Sequence, residues 1–159
     1  MEFRKLIALR ENPNLTWQCE GKAKFVVGNA FYRSTSQIAR DLGILAAAIY
    51  KFDKGGLKVL EVMSGCGVRS LRYWQESKAD WVWANEGNPE VKPTLEQNLQ
   101  AAVKAGYSQV TQQDANRVFF DCYNRQDYYD LVDVDCFGSA TPYLSTSLWA
   151  TKIGGLLYI

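Results

Sequence analysis

With 159 residues, a net charge of +1, 47% hydrophobic and 22% charged residues, the chain has the size of one domain able to bury a core, and it carries no repeat or low-complexity tract. The absence of histidine excludes Ser-His-Asp and Cys-His catalysis. Cys19, Cys66, Cys122 and Cys136 lack any zinc spacing, so acid–base chemistry must rest on carboxylates, Tyr, Lys or backbone groups.

Reduced thiols in a cytoplasmic protein are the simplest account of these cysteines, and Cys122 reads as packing. No apolar run approaches the ~20 residues of a membrane span. The charge is uneven: residues 1–58 hold ten Lys or Arg against five Asp or Glu (+5), and residues 59–159 hold eight against twelve (−4). That asymmetry suits either an anionic polymer gripped at one end, with a small cofactor at the other, or an ordinary solvated surface.

In chain order, residues 1–33 read as a basic extension with a β segment, and residues 34–159 as the main domain. Residues 36–52 form a helical stretch on which Arg40, judged from its own neighbourhood, faces solvent. The first main strand is Lys58-Val59-Leu60-Glu61, followed by Ser64-Gly65-Cys66-Gly67, where Gly65 and Gly67 would let backbone approach a ligand as strand turns into helix. Ser70 replaces the third glycine of a dinucleotide fingerprint and an acid precedes the turn, a pattern that fits an S-adenosylmethionine methyltransferase better than a nicotinamide enzyme.

The second strand, residues 80–86, ends on Glu86, placed to accept the ribose hydroxyls of an adenosine. A helix follows from Asn88 to Gly106, with Asn88 as N-cap, Pro89 at the first helical position, and Pro93 either within the first turn or kinking it. The third strand, residues 108–114, ends on Asp114, placed to take the adenine amine, a role compatible with capping the helix that follows. The fourth, residues 129–135, delivers Asp135-Cys136-Phe137-Gly138.

An exocyclic amine shares its lone pair with its ring, and a carboxylate accepting its N–H bonds localises that pair as a methyl group arrives. Asp135 is given this task, with Phe137 as a stacking face for the base. Asp133 is expected on the opposite strand face, so that the two do not act as a pair. Strands alternating with helices predict an α/β domain with a mostly parallel, Rossmann-like sheet of the class I methyltransferase type, its acids gathered at the strand ends.

These residues, with Glu20-Gly21-Lys22-Ala23-Lys24-Phe25, Phe31-Tyr32 and Arg40-Asp41 upstream, resemble the tRNA (guanine(26)-N(2))-dimethyltransferases over nearly the whole chain. The resemblance implies S-adenosylmethionine as cofactor and N2 of a tRNA guanine as the methylated atom. It also implies cofactor contacts at Arg40, Arg69, Glu86, Asp114 and Ala115, beside the glycines Gly65 and Gly67, and catalysis by Asp135 with Phe137 against the base. Phe31 is a candidate substrate contact, and Lys22 and Lys24 are either phosphate contacts or solubilising charges on an exposed strand.

Cys136 replaces the proline usual in that family's catalytic loop, Glu86 stands where Asp is commoner, and Ala39 stands where Asn is usual. A fifth strand at residues 152–159 closes the sequence. By this resemblance the sheet is expected to be truncated after that strand, and a C-terminal domain that helps bind tRNA to be missing. The alternatives are an enzyme acting on DNA adenine or ribosomal RNA guanine, and a non-catalytic fragment binding cofactor or RNA.

Overall fold

A computed structural model describes residues 16–159, and the first fifteen residues of the expected basic extension lie outside them. Two short strands, β1 (Trp17–Glu20) and β2 (Ala23–Val26), form an antiparallel hairpin. Five parallel strands then make the main sheet: β3 (Lys58–Glu61), β4 (Trp81–Asn85), β5 (Ser108–Thr111), β6 (Tyr129–Asp133) and β7 (Thr151–Tyr158). Their spatial order is β5-β4-β3-β6-β7. The chain runs outward from β3 to β5 and returns on the other side of β3, so β3 and β6 flank the point where the winding reverses. Ligands of open parallel sheets bind in the crevice at the carboxyl ends of such strands.

Helix α1 (Gln37–Lys54) precedes β3, and α2 (Val68–Gln75), α3 (Lys92–Lys104), α4 (Ala115–Arg125) and α5 (Thr141–Ser147) connect the successive strands. Strand residues alternate between two buried faces. Leu60, Trp83 and Val132 pack with Val118, Phe119 and Cys122 of α4. Val59, Val82 and Leu131 face Ile44 and Ala47 of α1 with Tyr73 of α2, and Ala84 meets Leu71, Leu95 and Leu99. With both faces covered, the sheet is a three-layer α/β core. Among the described residues no helix is long and apolar enough to cross a membrane.

Strands β5 and β6 stop two or three residues short of the expected limits because their ladders run out. β5 has β4 as its neighbour and pairs through Asn85 with Thr111, whereas β6 leaves β3 at the Glu61 to Asp133 pair. The helix expected from Asn88 begins instead at Lys92, with Pro93 inside its first turn. An earlier start would require the N–H that Pro93 lacks and would press its ring on the preceding turn. Asn88 instead shapes a turn, its side chain accepting from Glu90 N–H at 3.0 Å and its carbonyl from Val91 and Lys92.

The hairpin is stitched to the sheet. Ala23 and Phe25 are buried with Leu71, Leu95 and Leu99. The Asn98 amide accepts from Val26 N–H at 2.9 Å and donates to the Val26 carbonyl at 2.8 Å and the Cys66 carbonyl at 2.7 Å. Gly67 opens α2 at φ +82°, where an added Cβ would meet Leu95 Cδ1 at 2.6 Å. Gly67→Ala is therefore expected to cost on the order of 1–3 kcal/mol from backbone strain, with the clash in addition. A denaturant titration with an unchanged midpoint would contradict this.

Candidate active site

A cavity of about 490 Å³ opens at the carboxyl ends of β3, β4 and β6. Gly65, Glu86, Arg40, Arg69, Asp135 and Phe137, all anticipated from the sequence, line it, as does Phe31. At one end the Glu86 carboxylate is held by two backbone donors, Gly65 N–H on Oε2 and Asn88 N–H on Oε1, each at 2.8 Å. Gly65 lies at φ +53°, and a Cβ added there would meet no atom closer than 3.9 Å, so its backbone faces open space. Glu86 thus sets both the glycine loop and the turn before α3 while presenting its carboxylate to the cavity.

At the other end, Arg69 in the first turn of α2 joins two carboxylates. Its Nη1 donates to both oxygens of Asp133 at 2.9 and 3.0 Å, and its Nη2 lies 3.2 Å from Asp135 Oδ2. The expectation that Asp133 faces away from Asp135 is overturned. Side chains two residues apart on a strand share a face, and both acids converge on the one guanidinium. Asp133 is fully buried and also accepts the Tyr73 hydroxyl at 2.6 Å, whereas Asp135 is largely exposed.

Glu61, buried at the end of β3, accepts the Ser70 hydroxyl. Burial, and then the neighbouring Asp133 carboxylate, push the Glu61 carboxyl well above its ordinary range. Burial raises Asp133 too, but Arg69 and Tyr73 oppose it. Burial therefore disfavours charge on both acids, while the contacts of Asp133 with Arg69 and Tyr73 favour its ionised form.

Arg40 is not solvent-facing. It is 5% exposed, and forks onto Glu20 through Nε (2.8 Å) and Nη2 (2.5 Å), with Nη2 also on the Arg33 carbonyl at 3.0 Å. Glu20 further accepts Arg72 Nη1 at 2.8 Å and the Tyr32 hydroxyl at 2.9 Å. This buried cluster ties the hairpin to α1 and α2 and fixes the segment carrying Phe31. Phe31 and Phe137, 62% and 80% exposed, meet edge-to-face with ring centroids 5.1 Å apart, forming an aromatic pair at the cavity mouth. The Arg33 guanidinium, 5.7 Å from the Phe31 ring centroid, also lines the cavity, a contact with no signal in the sequence.

Five anticipated residues do not line this cavity. Gly67 serves the packing of α2 against Leu95. Asp114 is the N-cap of α4, accepting Arg117 N–H at 3.2 Å, and Ala115 is buried behind it against the α4 core. They follow β5, two strands out from β3. Lys22 and Lys24 sit on the hairpin away from the cavity. Lys22 borders a separate groove with Trp74 and Tyr107, and the Lys24 ammonium lies 5.2 Å from the Trp17 ring centroid. Burial raises the Cys66 thiol to about 11 and the Cys122 thiol to about 12, so these two are poorly reactive at neutral pH.

The family model described as N2,N2-dimethylguanosine tRNA methyltransferase matches residues 15–159. A protein of Thermococcus kodakarensis named tRNA (guanine(26)-N(2))-dimethyltransferase is 26% identical, with 88% of this chain and 41% of that protein aligned. One of the same name from Pyrobaculum aerophilum is 33% identical, with 80% of this chain and 33% of that protein aligned. Among solved structures, Trm1 from Pyrococcus horikoshii with S-adenosyl-L-methionine superposes with a TM-score of 0.72 at 24% identity, covering 90% of this chain and 42% of that one. Trm5 from Methanocaldococcus jannaschii in complex with adenosine gives 0.72 at 17%, covering 92% and 42%. This chain spans about two fifths of the length of the first of these relatives (41%). With a family match running from the hairpin to the last strand, over a sheet and cavity of the expected kind, the chain belongs to the N2,N2-dimethylguanosine tRNA methyltransferase family.

Proposed function

We propose that this chain forms the cofactor-binding and catalytic part of a cytoplasmic enzyme that methylates the exocyclic N2 amine of guanine 26 in tRNA, adding two methyl groups in succession. The observation that carries this reading is the order of groups along one cavity: Glu86 on its backbone donors, then Arg69 with Asp135, then the exposed Phe31–Phe137 pair at the mouth.

The residues present fit S-adenosylmethionine. Glu86 offers a carboxylate to ribose hydroxyls, Gly65 leaves room for close approach, and Arg69 is a cation for the amino-acid carboxylate. Arg69 Nε is buried without a hydrogen-bond partner, so this guanidinium has donor capacity unspent. When bound, the cofactor supplies an activated methyl group, leaving the protein to bind and orient.

Phe31 and Phe137 offer ring faces to a guanine withdrawn from its stack. With the cofactor bound, Asp135 would accept the N–H bonds of the substrate amine, localising its lone pair for attack, and would take the proton that the methylated nitrogen gives up. The greater length of the relatives supports sharing of tRNA binding with a part of the enzyme beyond this chain. Lys22 and Lys24 remain candidates for contacts to distant phosphates.

The test is methyl transfer to a transcribed tRNA carrying guanine at position 26, beside the same transcript with adenine there. Incorporation confined to the first supports the assignment. Equal incorporation, or transfer only to DNA adenine or ribosomal RNA guanine, would replace it.

A further inference from the structure

We propose that Asp133, braced by Tyr73, is a positioning residue that holds the Arg69 guanidinium between the cofactor's carboxylate and Asp135, so that one cation serves both binding and chemistry. The proposal rests on reading the cavity as an S-adenosylmethionine site.

The geometry is that of a guanidinium fixed on one side and free to exchange partners on the other. Nη1 is locked to both oxygens of a fully buried carboxylate, at 2.9 and 3.0 Å. That carboxylate is fixed in turn by the Tyr73 hydroxyl at 2.6 Å, and Tyr73 is itself fully buried. The Tyr158 ring lies beside the guanidinium, with its centroid 5.4 Å from Cζ. Nη2, by contrast, rests on Asp135, whose side chain is 57% exposed at the cavity lip.

An anionic group entering the cavity therefore competes with Asp135 for Nη2, while Asp133 keeps Arg69 in place. Cofactor binding and release of the Asp135 carboxylate toward the substrate amine become one event. Glu61 does not compete for this guanidinium by contact, its carboxyl group accepting the Ser70 hydroxyl instead. Were Asp133 neutral, Asp135 would be the remaining carboxylate on this guanidinium, drawing Arg69 toward the lip. Carboxylate recognition would weaken, and Asp135 would stay occupied.

The experiment compares two ligands that differ in the amino-acid moiety: S-adenosylhomocysteine, which carries the carboxylate, and 5′-methylthioadenosine, which lacks it. Calorimetric affinities are measured for the wild-type chain, Asp133→Asn and Tyr73→Phe, each checked for folding by circular dichroism. Removing a charge-assisted hydrogen bond predicts roughly tenfold weaker S-adenosylhomocysteine binding in Asp133→Asn and about threefold in Tyr73→Phe, with methylthioadenosine affinity unchanged.

Tyr73→Phe keeps the test decisive if Asp133→Asn does not fold. Equal weakening of both ligands, or unaltered S-adenosylhomocysteine binding in a folded variant, would overturn the positioning role while leaving the cofactor site standing. Failure of the folded wild-type chain to bind either ligand would overturn the cofactor reading and the proposal with it.

Discussion

Asp135→Ala is expected to lower methyl transfer to tRNA by about 10²–10⁴-fold, the usual contribution of a positioned acid–base group, while leaving S-adenosylhomocysteine affinity unchanged or slightly tighter. The two halves of this expectation have different origins. The lost activity follows because Asp135 is the exposed carboxylate at the cavity lip, beside Phe137, whereas Asp133 and Glu61 are buried and committed to Arg69 and Ser70. The retained affinity follows because removing Asp135 frees Arg69 Nη2 for the ligand. Transfer of a labelled methyl group, measured beside a calorimetric titration, separates the two. Incorporation equal to wild type would remove Asp135 from the chemistry.

The largest effect on stability is expected at Glu20. Glu20→Ala would leave Arg40 and Arg72 buried with less anionic compensation, and breaking a buried pair from one side costs roughly 3–5 kcal/mol. Arg72 keeps Asp41 at 2.6 Å and Glu76 at 2.8 Å, so Arg40 would bear most of the loss. The same cluster predicts a pH dependence. Burial alone would raise the Glu20 carboxyl, but hydrogen bonds from Arg40 and Tyr32 override it and hold the group below its ordinary value of 4.5.

A depressed folded-state pKa stabilises the fold fully above the unfolded value. That stabilisation is lost as pH falls through the folded one. Urea titrations from pH 7 to pH 3 should therefore show a steep loss of wild-type stability below about pH 4.5, with a shallower loss in Glu20→Gln. Parallel curves for the two proteins, or a cost below about 1 kcal/mol for Glu20→Ala, would show that the cluster is not what fixes the hairpin.

The parallel sheet was legible in the sequence because each strand is short, apolar and stopped by Gly, Asn or Asp, and because the carboxylates fall where strands end. The glycine loop, Glu86 and the Asp135–Gly138 loop were legible for the same reason, since each function sits within a few residues of a strand terminus. What could not be read were partnerships between distant segments.

Arg40 looks solvent-facing until Glu20, on another element, is brought against it, and nothing local to Phe31 announces Phe137. Asp133 was misplaced through the strand period itself, which puts residues two apart on one face. Gly67 and Asp114 match a ligand-binding pattern, and where they stand Gly67 also packs against Leu95 and Asp114 also caps α4. Pattern alone does not separate those roles, because a βα turn asks for the same residue types in both.

The most direct test of the account is a calorimetric titration of S-adenosylhomocysteine into the purified chain, run beside Glu86→Ala. Glu86 anchors the glycine loop and the turn before α3 on two backbone hydrogen bonds and presents its carboxylate to the cavity. Saturable binding by the wild-type chain, weakened at least about tenfold in the variant, is the predicted result. No binding by the folded wild-type chain, or equal affinity in both proteins, would contradict it.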